Sequence, residues 1–264
     1  MSEKMLNAPV YYTLTQAQFN PVAAIAKYIN EIQDKLRLNG YTLFEAQKIT
    51  QLRFQSSSSS STKAEFVELP IWQFTKANQS AGFSLGQSSL AFHTTHYETH
   101  NQFFNEFLSG LEIVHNIVKL EHLSRLGLRY LNAVLPKKGE MVNQYLVTGL
   151  HGITLDIAMR YSLSESVFDT EVAPSSKGNL VNRVHYKSGP LDYPADMLPN
   201  NLLRMERFVV TENIPHAVID IDHFIEKQVP LNIKQAETLL CSLHAGIKRA
   251  FFATITDFAK SAWA

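Results

Sequence analysis

Two arginines offer the clearest chance of binding chemistry. Arg125 and Arg129 lie in the segment Arg125 to Pro136, with Gly127 midway between them. In an extended chain alternate residues share a face, so both guanidinium groups would project together beside a residue without a side chain. Guanidinium forks bind carboxylates and phosphates bidentately. The spacing therefore predicts a site for a ligand or an anion.

Asp220 and Asp222 form a second candidate pair, in a strand-like segment near the C-terminus. Residues two apart on a strand share a face, with Cα atoms roughly 6.5 Å apart. The carboxylates could hold a divalent cation or act as an acid and a base. Alternation with Ile219 and Ile221 is also typical of a half-solvated strand. Equally, Arg129 could pair with either aspartate across a sheet as a structural bridge.

A histidine cluster is the candidate for metal binding. His93, His96 and His100 lie within eight residues, with Glu98 among them. Imidazole nitrogens and a carboxylate suit zinc and similar ions. On a strand, however, His93 and His96 would face opposite ways, and His96 and His100 share a face only in a helix that has begun by His96. A polar corner between a strand and a helix is therefore the favoured interpretation, and a metal site is the alternative.

Motifs typical of catalysis are missing from the sequence. It contains no Gly-x-Ser-x-Gly elbow and no glycine-rich phosphate loop. The single cysteine, Cys241, excludes an internal disulfide and a zinc site made of thiolates from one chain. Its apolar helical surroundings predict a buried side chain. No cofactor is indicated, and a non-enzymatic role is favoured.

Charge and hydropathy restrict the classes of partner. Lys plus Arg equals Asp plus Glu at 24 each, so the overall field gives no bulk attraction to nucleic acid or anionic membranes. The local basic segment Lys119 to Lys138 keeps RNA binding open. No stretch approaches the roughly 20 apolar residues of a membrane span, and Met1 to Asn7 lacks a signal-peptide core. We expect a cytoplasmic protein that does not enter membranes.

Three helices should position these residues. Each begins at a capping residue and continues with apolar residues at spacings of three and four. The first should end at Asn39-Gly40. The start signals are Asn20-Pro21, Thr99 with Gln102, and Asn232 with Gln235.

Short runs of β-branched, aromatic and aliphatic residues between turn signals predict many strands. The serine run Ser56 to Ser61 predicts a hairpin tip, and Ser188 to Asn201, with three prolines, predicts an irregular loop. The main predicted strands are Val10 to Phe19, Phe66 to Thr75, Ala81 to Leu85, Ser89 to Thr95, Arg125 to Leu135, Ile153 to Leu163, Val167 to Val172, Leu180 to Lys187, Arg207 to Thr211 and Ala217 to Ile225.

The order of elements predicts an α+β protein made of two topologically similar halves, residues 1–122 and 123–264. Each half should be an antiparallel sheet with a strand and helix at its start and a closing helix. The halves would be fused about the central strand, residues 125–135. Leu126, Leu128 and Tyr130 are expected to form the shared core.

Several short segments together resemble a sporadically distributed family of uncharacterised prokaryotic proteins of about 260 residues. The resemblance implies no activity and no site residues. The patchy distribution of that family is similar to that of accessory systems such as phage defence or toxin-antitoxin modules. The segments are Leu6 to Val10, Phe19-Asn20-Pro21, Ile32-Gln33 through Leu36-Arg37 with Gly40-Tyr41, Arg125 to Asn132, and Ile219 to Asp222.

The sequence thus predicts a non-enzymatic binding or scaffold protein that acts in a multi-protein assembly. The first alternative is an enzyme, or a protein that recognises a nucleotide or anion, with a site between the halves at Arg125, Arg129, Asp220 and Asp222. The second alternative is an RNA-binding protein.

Overall fold

The computed structural model describes residues 5–56, 62–153, 155–157, 159–174, 176–197 and 201–264, with the backbone alone for 51–56 and 62–65. Within these residues the fold is α+β with antiparallel strands, as predicted. The strands are β1 (Val10–Phe19), β2 (Leu43–Ser56), β3 (Thr62–Thr75), β4 (Ala81–Leu85), β5 (Ser89–Thr94), β6 (His122–Val134), β7 (Tyr161–Ala173), β8 (Ser176–Gly189) and β9 (Ile214–Pro230). The α-helices are α1 (Ile29–Leu38), α2 (His100–Val118), α3 (Val142–Tyr145), α4 (Ile233–Thr254) and α5 (Asp257–Ala262).

All nine described strands form a single sheet in the order β2-β3-β4-β5-β1-β6-β9-β8-β7. The two separate sheets expected from the sequence are therefore joined. The junction is the antiparallel pairing of β1 with β6, in which Leu14 lies opposite Arg129 and Gln16 lies opposite Gly127. Pairing of these two strands removes two sheet edges that would otherwise expose unpaired backbone groups.

The helices cover one face of the sheet and form the main core with it. Leu126, Leu128 and Tyr130 of β6 are buried in this core, as predicted. The predicted caps of α2 and α4 are confirmed: the Thr99 hydroxyl accepts a hydrogen bond from the backbone N–H of Gln102, and the Asn232 side chain caps α4 in the same way. The caps satisfy backbone donors that a helix start leaves unpaired.

The opposite face of the sheet is partly covered by the connection between β8 and β9. Leu191, Leu202 and Phe208 from this connection form a second, smaller core with Tyr11 and Leu131 of the sheet. The strand predicted at 207–211 is wrong, because residues 206–208 form a 3-10 turn. That turn lets the Phe208 ring contact the Tyr11 ring at a centroid distance of 6.0 Å. The first two residues of the predicted loop, Ser188 and Gly189, belong to β8. The rest of its described part contains no strand, and residues 198–200 lie outside the described residues.

Four further expectations need correction or restriction. The first helix begins with a 3-10 turn at Ile25, not at Pro21, because the N–H of Val22 still bonds to the carbonyl of Gln87 beside β5. The strand predicted from residue 153 begins only at Tyr161 and continues to Ala173. Cys241 is exposed rather than buried. The tip of the predicted serine hairpin, 57–61, lies outside the described residues, and Ser56 and Thr62 pair on either side of it.

Candidate functional site

The predicted arginine and aspartate pairs meet on the sheet face opposite the helices. On this face β6 contributes Arg125 and Arg129, and β9 contributes Asp220 and Asp222. Arg129 lies directly opposite Asp222 in the register of the two strands. Strand alternation sends these side chains away from the helices, because their neighbours in sequence are the apolar residues of the main core.

Arg129 is enclosed by two carboxylates. Its Nε and Nη2 donate to the two oxygens of Asp220 at 2.7 and 2.6 Å. Its Nη1 and Nη2 donate to Asp196 at 2.7 and 3.1 Å. Asp220 is fully buried in the sheet, whereas the side chain of Asp196, from the β8–β9 connection, is 62% exposed. The guanidinium therefore ties the loop to the sheet.

The charges of this cluster stabilise one another. Burial alone would raise the pKa of Asp220, but the hydrogen bonds from Arg129 and the charges of Arg129 and Arg183 offset that effect, and the pKa lies below its usual value. Burial would lower the pKa of Arg129, yet hydrogen bonds to Asp220 and Asp196 raise it instead. Both groups therefore stay ionised, and Arg129 has no free fork for a ligand. Its contacts are those of a structural bridge.

Arg125 is held differently. Its guanidinium lies 4.2 Å from the centre of the Phe224 ring. Its other neighbour is Gly127: a Cβ on that glycine would approach Nη1 of Arg125 to 2.8 Å. The guanidinium thus occupies the space that a glycine leaves open on the sheet. Among the described residues its one side-chain hydrogen bond runs from Nη1 to the Gln16 side chain at 3.4 Å, and its Nε lies 3.7 Å from the Glu226 carboxylate.

Asp222 is the partner of Arg125 but is not hydrogen-bonded to it. Arg125 Nη2 lies 3.5 Å from Asp222 Oδ2. No described residue donates a hydrogen bond to the Asp222 carboxylate, and burial raises its pKa despite the nearby charge of Arg125. The Asp222 side chain is 18% exposed, so its carboxylate can be reached from the surface of the sheet. Arg125 and Asp222 therefore both retain hydrogen-bonding capacity.

A cavity of about 540 Å³ opens beside this pair. Its volume falls in the range of small-molecule sites, roughly 300–1,000 Å³. Strands from both sides of the β1–β6 junction line it, together with Asp196 and Met197 from the loop. Polar wall residues include Gln16, Gln18 and Gln47, while Leu14, Ile49 and Ile71 provide apolar surface. The arrangement can bind a small polar ligand against an apolar wall.

The three histidines predicted as metal ligands have separate partners. His93 is buried on β5 with Nδ1 3.0 Å from the Tyr12 hydroxyl, and burial lowers its pKa to about 4. His96 contacts the Thr95 hydroxyl, and His100 stacks on His244 with ring centres 4.4 Å apart. Among the described residues, no group of three or more His, Cys, Asp or Glu side chains could hold a metal ion.

Sequence reasoning missed the residues that approach from elsewhere in the chain. Asp196 reaches Arg129 only through the folding of the β8–β9 connection, so no local pattern could have identified it. His185 lies between Tyr161 and Asp220, with Nδ1 3.3 Å from the Tyr161 hydroxyl and Nε2 3.7 Å from Asp220. The second distance is too long for a hydrogen bond. Since Asp220 is already bonded to Arg129, these groups do not make a proton relay.

Comparison with known proteins adds no assignment: no family model matches the chain, and no curated protein matches it. Within the described residues, no helix has the length and apolar character needed to span a membrane.

Proposed function

We propose that the protein is a non-enzymatic binding or scaffold protein, which joins a multi-protein assembly through the free edge of β7. The observation that carries the proposal is the position of this strand. β7 is 13 residues long and is the last strand of the sheet, with only β8 paired to it among the described residues. A row of unpaired N–H and C=O groups is a template for strand addition by another chain.

The side chains of β7 favour contact with a partner. Val167 is 61% exposed and Phe168 is 51% exposed, although their side chains point to opposite faces of the sheet. Exposed edge strands are usually protected by lysine, proline or a bulge. From Tyr161 to Glu171 the strand contains no lysine or proline, and its register with β8 is unbroken.

Charge indicates an extended basic segment of another protein as the occupant. β7 carries Glu165, Asp169 and Glu171 and no basic residue. Pairing of β7 with β7 of a second copy about Val167 would place Glu165 opposite Asp169, and like charges directly opposite are destabilising. Glu165 is already paired with Arg183 of β8. A partner strand that alternates basic and apolar residues would satisfy the backbone, the carboxylates of Asp169 and Glu171, and the exposed apolar side chains together.

The probe for this proposal is a synthetic peptide of alternating valine and lysine, labelled for fluorescence anisotropy. We expect it to bind, and we expect Val167→Lys to weaken binding by about tenfold or more, which corresponds to about 1.4 kcal/mol. The lysine removes an apolar contact and repels the basic peptide. Leu38→Lys on α1 is the matched control, since Leu38 is also an exposed aliphatic residue, at 66%, and it should leave binding unchanged.

Two further peptides identify the mode of binding. Replacing lysine by glutamate in the peptide, or methylating alternate backbone nitrogens, should abolish binding, because each removes one of the proposed attractions. Equal binding of the basic and acidic peptides, or no effect of Val167→Lys, would refute the proposal. A dimer of the protein that Val167→Lys disrupts would also refute it in favour of self-pairing.

We also propose that the protein is related to the sporadic prokaryotic family and that it is located in the cytoplasm. The single cysteine supports this location, because a reducing compartment does not favour disulfides. A duplicated plan for the two halves is supported by strand order: β1 and β6 are neighbours, and each is flanked by the last strand of its own half, β5 or β9.

The two alternatives differ in their support. A ligand or anion site between the halves is favoured by Arg125 and its cavity. RNA binding has weaker support: Lys119 and Lys137 flank opposite ends of the 13-residue strand β6, roughly 40 Å apart at strand rise, and the arginines between them contact carboxylates. Retention of the protein on RNA at low salt would favour this reading.

A further inference from the structure

We propose that the cavity beside Arg125 and Asp222 binds a free α-amino acid with an apolar side chain, the carboxylate held by Arg125 and the ammonium group by Asp222. The site is separate from the β7 edge, and the inference does not depend on the function proposed for that edge.

Arg125 is prepared to bind an acceptor in the plane of its guanidinium. The group packs against the Phe224 ring and above Gly127. These contacts are apolar and leave N–H groups of the fork for a ligand, and bidentate bonding is how arginine binds a carboxylate. Apart from the bond to Gln16 at 3.4 Å, its N–H groups make no hydrogen bonds to described residues.

Asp222 is able to accept hydrogen bonds from a ligand. Its nearest cation, Nη2 of Arg125, is 3.5 Å away without a hydrogen bond. The register places the aspartate opposite Arg129, but that arginine is already bonded to Asp220 and Asp196. An ammonium group from a ligand would give Asp222 the charge-assisted hydrogen bonds that it lacks.

The remaining charged groups on the cavity wall are already paired. Lys48 bonds to Glu68 at 2.8 Å, and Asp196 bonds to Arg129. His93 is buried and neutral, with a pKa lowered by burial to about 4. Recognition of charge on the cavity wall therefore falls to Arg125 and Asp222. Outside that wall, the exposed Glu226 carboxylate lies 3.7 Å from Nε of Arg125.

This pair of opposite charges selects the class of ligand. A simple anion would be attracted by Arg125 and repelled by Asp222, and a simple cation would meet the reverse. A zwitterion with ammonium and carboxylate groups on one carbon matches both, because the two protein groups are also adjacent. Leu14, Ile49, Ile71 and Met197 line the same cavity, so the side chain of the amino acid should be apolar.

The test is isothermal titration calorimetry of the full-length protein with leucine, isoleucine, valine, methionine and phenylalanine. Isocaproate, which lacks the amino group of leucine, and isoamylamine, which lacks its carboxylate, are the matched probes. We expect at least one of the five amino acids to bind. If leucine binds, each of its two analogues should bind about tenfold to hundredfold more weakly, as expected for the loss of a charge-assisted contact.

Two variants should change the ligand preference of the site in opposite directions. Asp222→Asn should weaken binding of the amino acid about tenfold or more and strengthen binding of isocaproate, because it removes a negative charge beside the carboxylate. Arg125→Gln should weaken binding of the amino acid and spare isoamylamine. Gly127→Ala should act like Arg125→Gln, because the added methyl group displaces the guanidinium.

Arg37→Gln is the matched control. Arg37 is an arginine of α1, away from this face of the sheet and paired with Asp34, and its replacement should leave the titrations unchanged. Circular dichroism melting of each variant separates lost binding from lost folding. Absence of binding by all five amino acids would overturn the inference, and so would equal affinity for leucine and isocaproate. Either result would leave peptide binding at β7 untouched, so the two proposals fail separately.

Discussion

At the scale of single residues, the three aspartates beside Arg125 and Arg129 have different surroundings. Asp220 is fully buried and bidentate to Arg129. Asp196 also makes two hydrogen bonds to Arg129, but from an exposed loop position. Asp222 contacts Arg125 without a hydrogen bond. The same change, aspartate to asparagine, should therefore have three different effects on stability.

Asp220→Asn should destabilise the protein by about 3–5 kcal/mol, because it leaves the buried side of Arg129 without its counter-charge. Asp196→Asn should cost no more than about 1 kcal/mol, since exposed ion pairs contribute little. Urea denaturation at neutral pH measures both free energies of unfolding, provided that the slope against urea concentration stays constant.

Asp222→Asn is the control for these two variants. Burial already opposes the ionisation of the Asp222 carboxylate. Its removal should therefore leave the free energy of unfolding unchanged or slightly higher. If Asp196→Asn and Asp220→Asn had the same cost, the assignment of Arg129 as a structural bridge between sheet and loop would be wrong.

The sequence could predict the partners of this cluster only as alternatives. Alternation along the strands placed Arg125 with Arg129 and Asp220 with Asp222. The choice between the aspartates depends on side-chain direction: Arg129 faces Asp222 in the register but bonds to the diagonal neighbour Asp220. Asp196 could not be foreseen, because its contact depends on the folding of an irregular loop.

At the scale of elements, α2 approaches the sheet through a glycine. A Cβ on Gly110 would lie 2.3 Å from the Phe83 ring of β4, so the helix contacts the strand where a side chain is absent. Phe83 in turn packs against Phe92 and Tyr41. The ring therefore cannot move without disturbing the main core, which is densely packed in the usual way of protein interiors.

Gly110→Ala should destabilise the protein by about 1–3 kcal/mol through overpacking. Helix propensity alone predicts the opposite sign, a gain of about 1 kcal/mol from replacing glycine in a helix. Because the two effects have opposite signs, the change in melting temperature distinguishes them. It is measured by thermal melting, monitored by far-ultraviolet circular dichroism.

Gly149→Ala is the control for this prediction. Gly149 lies in the 3-10 turn Thr148–Leu150, and a Cβ there would meet nothing within 4 Å. Its replacement should be close to neutral. A stabilised Gly110→Ala protein would mean that α2 lies farther from β4 than the structure indicates.

At this scale, the sequence predicts an element correctly where the signals that define it lie within that element. Capping residues and apolar spacing predicted α2 and α4 well, because both signals act within a helix. The segment at 207–211 has strand-like composition, but burial of Phe208 against Tyr11 determines its shape. The start of the first helix was misplaced for a similar reason, since the bond from Val22 to Gln87 competes with helix formation.

At the scale of the whole molecule, the joining of the two predicted halves into one sheet is the feature that local patterns could not provide. β1 and β6 are separated by more than a hundred residues in sequence, and yet they pair along most of their length. The interface continues on the helical side, where His100 of α2 stacks on His244 of α4. Neither half has its complete set of contacts without the other.

We therefore predict that separate fragments, residues 1–120 and 121–264, do not fold alone but associate when they are expressed together. Each isolated fragment would expose a long central strand edge together with apolar surface of the main core, and such edges promote aggregation.

The measurement is co-purification on a tag carried by one fragment, followed by thermal melting of the complex. Leu128→Asp in the second fragment should prevent association, because Leu128 is completely buried and a charge there would lack a partner. Lys138→Asp, at an exposed turn position, should permit it. Cooperative melting of either fragment by itself would instead mean that the halves are independent domains, and the pairing of β1 with β6 would then be a contact between domains rather than the centre of a single fold.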